Sequence, residues 1–395
     1  MRLARDLDLA EECVQEAYAA AMERWTRDGI PTNPAAWLTT AAKRRAMDAI
    51  RRDQTFRSKL PLLVDPGGSV EDTAMDELLL DSAEPEDVVR DERLLLIFMC
   101  CHPALGQAAQ VALTLRLVCG VATPDIARAF LVSEPTMAAR ITRAKKKITG
   151  SRIAYRVPRT AELPDRLRAV LGVIHLLFTT GHTAPTGAVL VRGDLVDSAL
   201  HLVRMLRELM PNEDEVRGLL ALLLVTDARR ATRVSGTGRP LLLEEDRSLW
   251  DRAAIAEAHD LIVGALRSGR LGRHVLQAAI ASLYAEAPTY GETDWPQIVA
   301  LYDKLLQMWP SPVVALNRAV PVSRASGPAV ALAEVEALES AGHLADYQYL
   351  PAVKADLLMR LGRTPEAAEA YQRALELTDN AAQRAFLTER LASVR

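Results

Sequence analysis

Residues 121–148 read VATPDIARAFLVSEPTMAARITRAKKKI. Thr123 can cap a helix with Pro124 at the first helical position, where Pro loses no hydrogen bond and its φ is already helical. Ile126, Ala127 and Phe130 then share one face, and the helix is expected to end near Leu131–Val132. Ser133 is placed to cap a second helix. On that helix Met137, Ile141, Ala144 and Ile148 recur at i, i+4, i+7 and i+11, a narrow apolar stripe, with Thr136, Arg140, Arg143 and Lys147 opposite. Two short helices around a three-residue turn, the second basic on its outward side, form a helix-turn-helix whose second helix fits the major groove. Ser133, Glu134, Thr136, Ala139 and Arg140 are then expected to reach base edges, and Arg143, Lys146 and Lys147 to lie nearer phosphate. The plainer alternative is a helical hairpin with a solvated basic side, and Leu131 stands where such turns often use Gly.

Working outward, charge is segregated along a chain whose net charge is only -3. Lys43, Arg44, Arg45, Arg51, Arg52, Arg57 and Lys59 form one basic block and residues 140–156 a second, separated by an acidic stretch from Asp65 to Asp91 containing Pro66, Gly67, Gly68 and Pro85. This stretch reads as a self-repelling linker. Ahead of the first basic block, Asp8 with Glu11 reads as an N-cap and its capping-box partner, and the helix that follows is expected to end near Asp28–Gly29. Glu11, Glu12, Gln15 and Glu16 form its polar side. Asn33 and Pro34 then predict the cap and first turn of a helix reaching about Arg52. At 100° per residue Trp37, Arg44 and Arg51 fall in one row, while Leu38, Ala42, Ala46, Ala49 and Ile50 take the other side. Guanidinium groups around an aromatic ring suit an opened nucleic-acid strand, since Arg neutralises phosphate and the ring stacks on a base. A charged helix surface with Trp37 half buried is the alternative.

Taken together, these two units resemble the extracytoplasmic-function group of bacterial sigma factors in the sigma-70 family. LAEECVQEAYAAAMERW (Leu9 to Trp25) is similar to the part of region two that binds the clamp helices of RNA polymerase. NPAAWLTTAAKRRAMDAIRR (Asn33 to Arg52) is similar to the part that melts and reads the minus-ten element, and the helix-turn-helix resembles region four, which binds the minus-thirty-five element. The resemblance implies that Glu11, Glu12, Gln15 and Glu16 face the polymerase and that the loop Arg27 to Pro34, with Asn33, holds a flipped-out base. It also implies that Trp37, Arg44, Arg45, Arg51 and Arg52 meet the non-template strand. Family members carry a further helix ahead of the Leu9 segment, so either the start lies upstream of Met1 or region two lacks its first helix.

After Pro158 the chain becomes a series of amphipathic helices. YLPAVKADLLMRLGRTPEAAEAYQRALELTDN, from Tyr349, is similar to a tetratricopeptide helix pair: Ala355, Ala367, Ala370 and Ala374 permit close approach, Leu361–Gly362 makes the turn, and Tyr371 and Leu375 fill the groove. Weaker copies stand upstream, in WPQIVALYDKLLQMWPSP and VVALNRAVPVSRASGPAVALAEVEAL. Stacked hairpins of this kind make a curved surface for protein contact. A subgroup of these sigma factors with such an extension resembles the chain along its whole length, which implies that the extension modulates sigma activity and docks a regulatory protein.

The expected architecture is therefore all-α, with two small helical domains for DNA and polymerase and a helical repeat domain. Its boundaries are 1–60 for region two, 61–92 for the acidic linker, 93–157 for region four and 158–395 for the extension, whose clearest repeat is 349–380. Length and composition agree: 395 residues, 49% apolar, and only 5% aromatic, which is low for a sandwich or barrel. Cys13, Cys100, Cys101 and Cys119 make no disulfide framework, Met1–Ala10 has no apolar run of a secretory signal, and the runs Leu94–Cys101 and Leu219–Val225 fall far short of the ~20 residues that span a bilayer. A cytoplasmic protein without cofactor or metal is expected. Cys100–Cys101–His102 lacks zinc-ligand spacing and reads as buried thiols. His175, His182 and His201 near Asp194 and Asp197 read as core or surface histidines, since no motif places a nucleophile beside them. Gly236 and Gly238 lack the lysine of a phosphate-binding loop. Asp227-Ala-Arg-Arg reads as a salt-bridged helix end. Partners are core RNA polymerase and promoter DNA, with no membrane and no enzymatic activity. The rival readings are a helix-turn-helix activator that never joins polymerase and a tetratricopeptide scaffold.

Overall fold

The computed structural model describes residues 7–64, 85–130, 132–150, 158–159, 161–184, 186–234, 240 and 247–394. Among these the chain is all-α, with seventeen α-helices and one parallel pairing of two-residue strands. It divides into two compact units, Met1–Val170 and Leu171–Arg395.

In the first unit, α1 (Leu7–Asp28) packs on α2 (Pro34–Val64). Small buried side chains, Cys13, Ala17 and Ala21 against Ala46, let the two backbones come close. α1 stops at Gly29, whose φ of 82° is open to glycine and strained for other residues. α2 does not stop at Arg52. It runs on to Val64: no Gly or Pro interrupts it before Pro61, and Pro61, which has no N–H to donate, falls in its last turn. Of the linker expected over 61–92, the residues to Val64 belong to α2 and those from Pro85 to α3 (Pro85–Cys100), and residues 65–84 lie outside the described residues.

α3 is followed by α4 (Gln107–Leu117), α5 (Thr123–Ala129) and α6 (Glu134–Gly150). Leu95, Ile97, Phe98 and Met99 meet Val111, Leu113 and Leu115, and the stripe Met137, Ile141, Ala144, Ile148 closes over them. Met137 and Ile148 are wholly buried, each giving about 1.5–3 kcal/mol relative to exposure. Cys100 and Cys101 sit inside this core, Cys101 Sγ 3.5 Å from Thr114 Oγ1, and burial pushes the Cys101 thiol up to about 12. α7 (Leu163–His182) begins beyond the boundary expected at 157, yet its first residues belong to this unit. The Arg166 guanidinium donates to the Phe98 carbonyl and anchors them there.

The second unit continues with β1 (Thr186–Gly187), α8 (Gly193–Leu209), α9 (Asp214–Asp227), a 3-10 turn (Arg230–Thr232), α10 (Arg252–Arg267) and α11 (Arg273–Glu286). α9 is covered by α8, α10 and α11. At Gly218 a Cβ would fall 2.5 Å from the Val275 nitrogen, so helices α9 and α11 touch backbone to backbone. Next come α12 (Trp295–Met308), α13 (Pro312–Ala325), α14 (Pro328–Ser340), α15 (Tyr349–Arg360), α16 (Thr364–Glu376), β2 (Asp379–Asn380) and α17 (Ala381–Ala392). Each of these helices packs mainly on its neighbours in sequence, the pattern of stacked hairpins. Ala355, Ala367 and Ala374 are wholly buried between α15 and α16, and Gly362 turns between them with φ 73°.

One contact within this unit spans it end to end. Asn380, 0% exposed, donates to the carbonyls of Ala184 (3.1 Å) and Val189 (3.0 Å), while its Oδ1 accepts from the amides of Ala382 (3.1 Å) and Gln383 (3.2 Å). Beside it β2 pairs with β1. Removing the side chain leaves the buried Ala184 carbonyl and three part-buried groups unmade, at about 1–3 kcal/mol for a group left buried and less for the others. Asn380→Ala is expected to cost the second unit about 3 kcal/mol, read as a lower urea midpoint by tryptophan fluorescence; an unchanged midpoint would show that the closure carries no stability.

Candidate nucleic-acid interface

α5 and α6 build the helix-turn-helix from local chemistry. The Asp125 and Ile126 amides donate to the Ala122 carbonyl, so Thr123 is the first helical residue rather than the cap. α5 ends at Ala129, two residues before the expected end, because the Phe130 amide closes the last turn on Ile126 and the Val132 amide folds back to Ala127. Leu131 lies outside the described residues. Ser133 caps α6 as expected, its Oγ accepting from the Thr136 amide at 3.4 Å. With the stripe on α6 buried, Ser133, Glu134, Thr136, Ala139, Arg143, Lys146 and Lys147 are exposed. Arg140 is half buried, its guanidinium 5.9 Å from the Phe130 ring centroid, a cation–π contact that steers the side chain. The outcome is a helix with hydroxyls at its start and cations along its outer side.

On α2, Asn33 Oδ1 accepts from the Ala36 amide at 3.0 Å, with Pro34 first in the helix. Trp37 is half buried and meets Trp25 edge to face at 5.6 Å, which fixes the indole at the rim of the α1–α2 pair. Arg44, Arg51 and Arg52 are exposed, and Arg44 makes no ion pair among the described residues. Arg45 points elsewhere: it bonds Glu16 at 2.5 Å and ties α2 to α1. The row Trp37, Arg44, Arg51 therefore presents one ring edge and exposed guanidinium groups on a single side of the helix.

The acids of α1 divide into two sets. Glu12 and Gln15 are exposed. Glu16 is taken by Arg45, and Glu11 is taken twice, by Arg116 at 2.7 Å and by Lys145 at 2.8 Å. Asp8 does not cap the helix, which already includes Leu7; its carboxylate lies 2.7 Å from Lys145. Burial opposes the charge on Glu11, but Lys145 and Arg116 outweigh it and hold the carboxyl below its usual range. Sequence reasoning missed Arg116 and Lys145, whose only signal was their charge, because their partners stand more than a hundred positions away.

The other sequence candidates separate. His102 Nδ1 accepts from the Ala104 amide at 3.1 Å, and no group of three or more His, Cys, Asp or Glu is gathered for a metal among the described residues. His175 and His182 are on α7, Asp194 pairs with Arg192 and Asp197 with Arg230, and His201 is exposed. Gly236 and Gly238 lie outside the described residues. Among the described residues no helix is long and apolar enough to cross a membrane.

Three family models match the chain: Sigma-70 region 2 over residues 1–56, Sigma-70, region 4 over residues 95–148, and a family of unknown function (DUF6596) over residues 166–266. The chain belongs to the sigma-70 family. The region 4 match covers α5 and α6, and the region 2 match covers α1 and the cationic row of α2. A sigma-70 factor acts in transcription initiation by binding, not by catalysis, and its partners are core RNA polymerase and promoter DNA. An uncharacterized protein of Rhizobium meliloti (strain 1021) is 42% identical over 401 aligned residues, covering 99% of this sigma factor and 91% of that protein.

The paired state of Glu11 sets a pH dependence. Its folded pKa lies below the usual 4.5, so its stabilising contribution is complete above that value and is lost as pH falls through the folded pKa. Acidification below about pH 4.5 is expected to lower the urea midpoint of the first unit more steeply in the native chain than in Glu11→Gln; parallel curves would mean that the Lys145 and Arg116 pairs add nothing.

Proposed function

We propose that this sigma-70 factor is of the extracytoplasmic-function type and that its second unit regulates it. The carrying observation is the pairing of a buried stripe with an outward cationic side on α6, in the same chain as the exposed arginines beside Trp37 on α2. In this reading Ser133, Glu134, Thr136, Ala139 and Arg140 read the minus-thirty-five element in the major groove, and Arg143, Lys146 and Lys147 hold its phosphates. Asn33, Trp37, Arg44, Arg51 and Arg52 stabilise the opened minus-ten strand, since guanidinium groups follow a backbone and an indole edge supports an unstacked base. Arg45 orients α2 from behind through Glu16. Glu12 and Gln15 meet the polymerase directly; Glu11 and Glu16 shape the surface on which they stand.

The stacked hairpins α12–α17 have the character of degenerate tetratricopeptide repeats, with small residues at the crossings of α15 and α16 and a glycine turn between them. A surface of this kind suits docking of a regulatory protein. The domain limits that follow are residues 1–64 for region two, 85–150 for region four, and an extension whose own compact unit starts at Leu171.

Run-off transcription with purified core polymerase tests the reading, comparing the full chain with residues 1–170, on promoters recovered by chromatin pull-down. Transcript that requires the added chain is the expected result, with yield altered when residues 171–395 are absent. Specific DNA binding with no transcript from either form would replace the sigma mechanism by that of an ordinary activator, and identical yields would remove the regulatory role of the second unit. Within region four, Lys147→Gln is expected to weaken all promoter sequences alike and to reduce the slope of log affinity against log salt by about 0.9, by filter binding or anisotropy. A change confined to one base position would make Lys147 a base-reading residue.

A further inference from the structure

Four charged residues far apart in the chain meet on one side of α1. Glu11 Oε1 lies 2.7 Å from Arg116 on α4 and its Oε2 2.8 Å from Lys145 on α6, while Asp8 stands 2.7 Å from the same ammonium. The Lys145 side chain is only 11% exposed. Burial opposes its charge, but Asp8 and Glu11 outweigh burial and hold the ammonium above its usual range. The buried row of α1 faces α2 and that of α6 faces α4 and α5, so these pairs join the two matched regions without drawing on either apolar row. Partly exposed ion pairs are individually modest. The contact can therefore be broken without unfolding either region.

Its reach follows from helix geometry. At about 1.5 Å per residue, Glu11 stands about 21 Å along α1 from Trp25, whose ring meets Trp37 at 5.6 Å. Ser133, the cap of α6, stands about 18 Å along that helix from Lys145. Laid end to end with the side chains between them, these segments hold Trp37 within about 60 Å of Ser133. The minus-ten and minus-thirty-five elements are centred about 25 base pairs apart, which is about 85 Å of duplex. A chain whose Glu11 stays on Lys145 falls short of placing α2 on one element and α6 on the other.

We infer that the ion pairs among Asp8, Glu11, Arg116 and Lys145 are a latch that keeps the free chain closed, region four against region two, and that opens when the chain engages a promoter. The inference rests on the assignment of α2 and α6 to the two promoter elements. Glu12 and Gln15 are exposed on the same side of α1, so a cationic surface of the polymerase seated on them competes with Arg116 and Lys145 for the Glu11 carboxylate. In the closed form Arg143, Lys146 and Lys147 are still exposed, and the minus-thirty-five element alone is free to bind.

A water-soluble carbodiimide tests the latch on the full chain, because it joins a carboxylate to an ammonium already in contact, as an amide with loss of water. Mass spectrometry reads the joined peptides. Lys145 joined to Asp8 or Glu11 is expected in the free chain and on a duplex bearing the minus-thirty-five element alone. With core polymerase and a promoter bearing both elements, that product is expected to fall about tenfold. Arg116→Gln removes one pair and lies on α4, outside α2 and α6. It is expected to form the polymerase–promoter complex at severalfold lower concentration, with its affinity for the single-element duplex unchanged, by anisotropy. No change in either affinity overturns the latch, and so does an equal loss of both, which would make Arg116 a structural residue. It is also overturned if the free chain gives no joined product, or if the product persists undiminished in a complex that yields transcript. Product in the free chain with no transcript under any condition overturns instead the sigma reading on which the opening rests. Should Arg116→Gln fail to fold, Asp8→Asn, whose side chain is 68% exposed, decides on the same terms.

Discussion

Where a helix of this chain buries a single stripe, the element it buries that stripe against decides which of its charges are left outside. On α6 the four apolar residues from Met137 to Ile148 lie against α4 and α5, and that alone turns Arg143, Lys146 and Lys147 outward. On α1 the buried row is Cys13, Ala17 and Ala21, so small that α2 comes close enough for Arg45 to reach Glu16. In the second unit the same constraint acts through Ala355, Ala367 and Ala374, and at Gly218 it leaves no room for a side chain at all. Surface chemistry throughout the molecule follows from these buried rows.

Charge placement in the first unit then separates residues that hold the protein together from residues that can work on a partner. Glu11, Glu16, Arg45, Arg116 and Lys145 are committed to one another. Such pairs are half-exposed and individually modest, but they orient α1 against α2, α4 and α6. Glu12, Gln15, Arg44, Arg143, Lys146 and Lys147 remain on the surface. A residue list drawn from family resemblance mixes the two groups, and the ion pairs sort them.

The second unit adds a different device. A stack of hairpins is held by contacts between sequence neighbours, yet here β1 and β2 pair and Asn380 binds the segment just after α7, so the stack is closed on itself. The end of α7 is thus held from two sides, by Asn380 through Ala184 and by Arg233 through His182 and Thr183. Arg318 shows the more ordinary arrangement, a cation between α12 and α14 that finds both Asp303 and Glu334.

The sequence by itself determined the helical class, the helix-turn-helix with its Ser133 cap, the Asn33–Pro34 start of α2, and the α15–α16 hairpin. All of these rest on interactions within a few residues, where a period of 3.6, a cap or a glycine turn is written in the chain. It also ranked Trp37, Arg44 and Arg51 as one row, since a helix fixes that geometry locally. The run of α2 past Arg52 and the membership of Arg166 in the first unit depended on weaker cues: the lack of Gly or Pro from Arg52 to Leu60 and a single distant carbonyl. Only the tertiary structure decided that Asp8 and Glu11 belong to Lys145, that Asn380 joins the segment after Ala184, and that Arg230 reaches Asp197 on α8. Those outcomes are set by distance in space between groups far apart in the chain, and a charged or amide side chain carries no mark of which distant group will neutralise it.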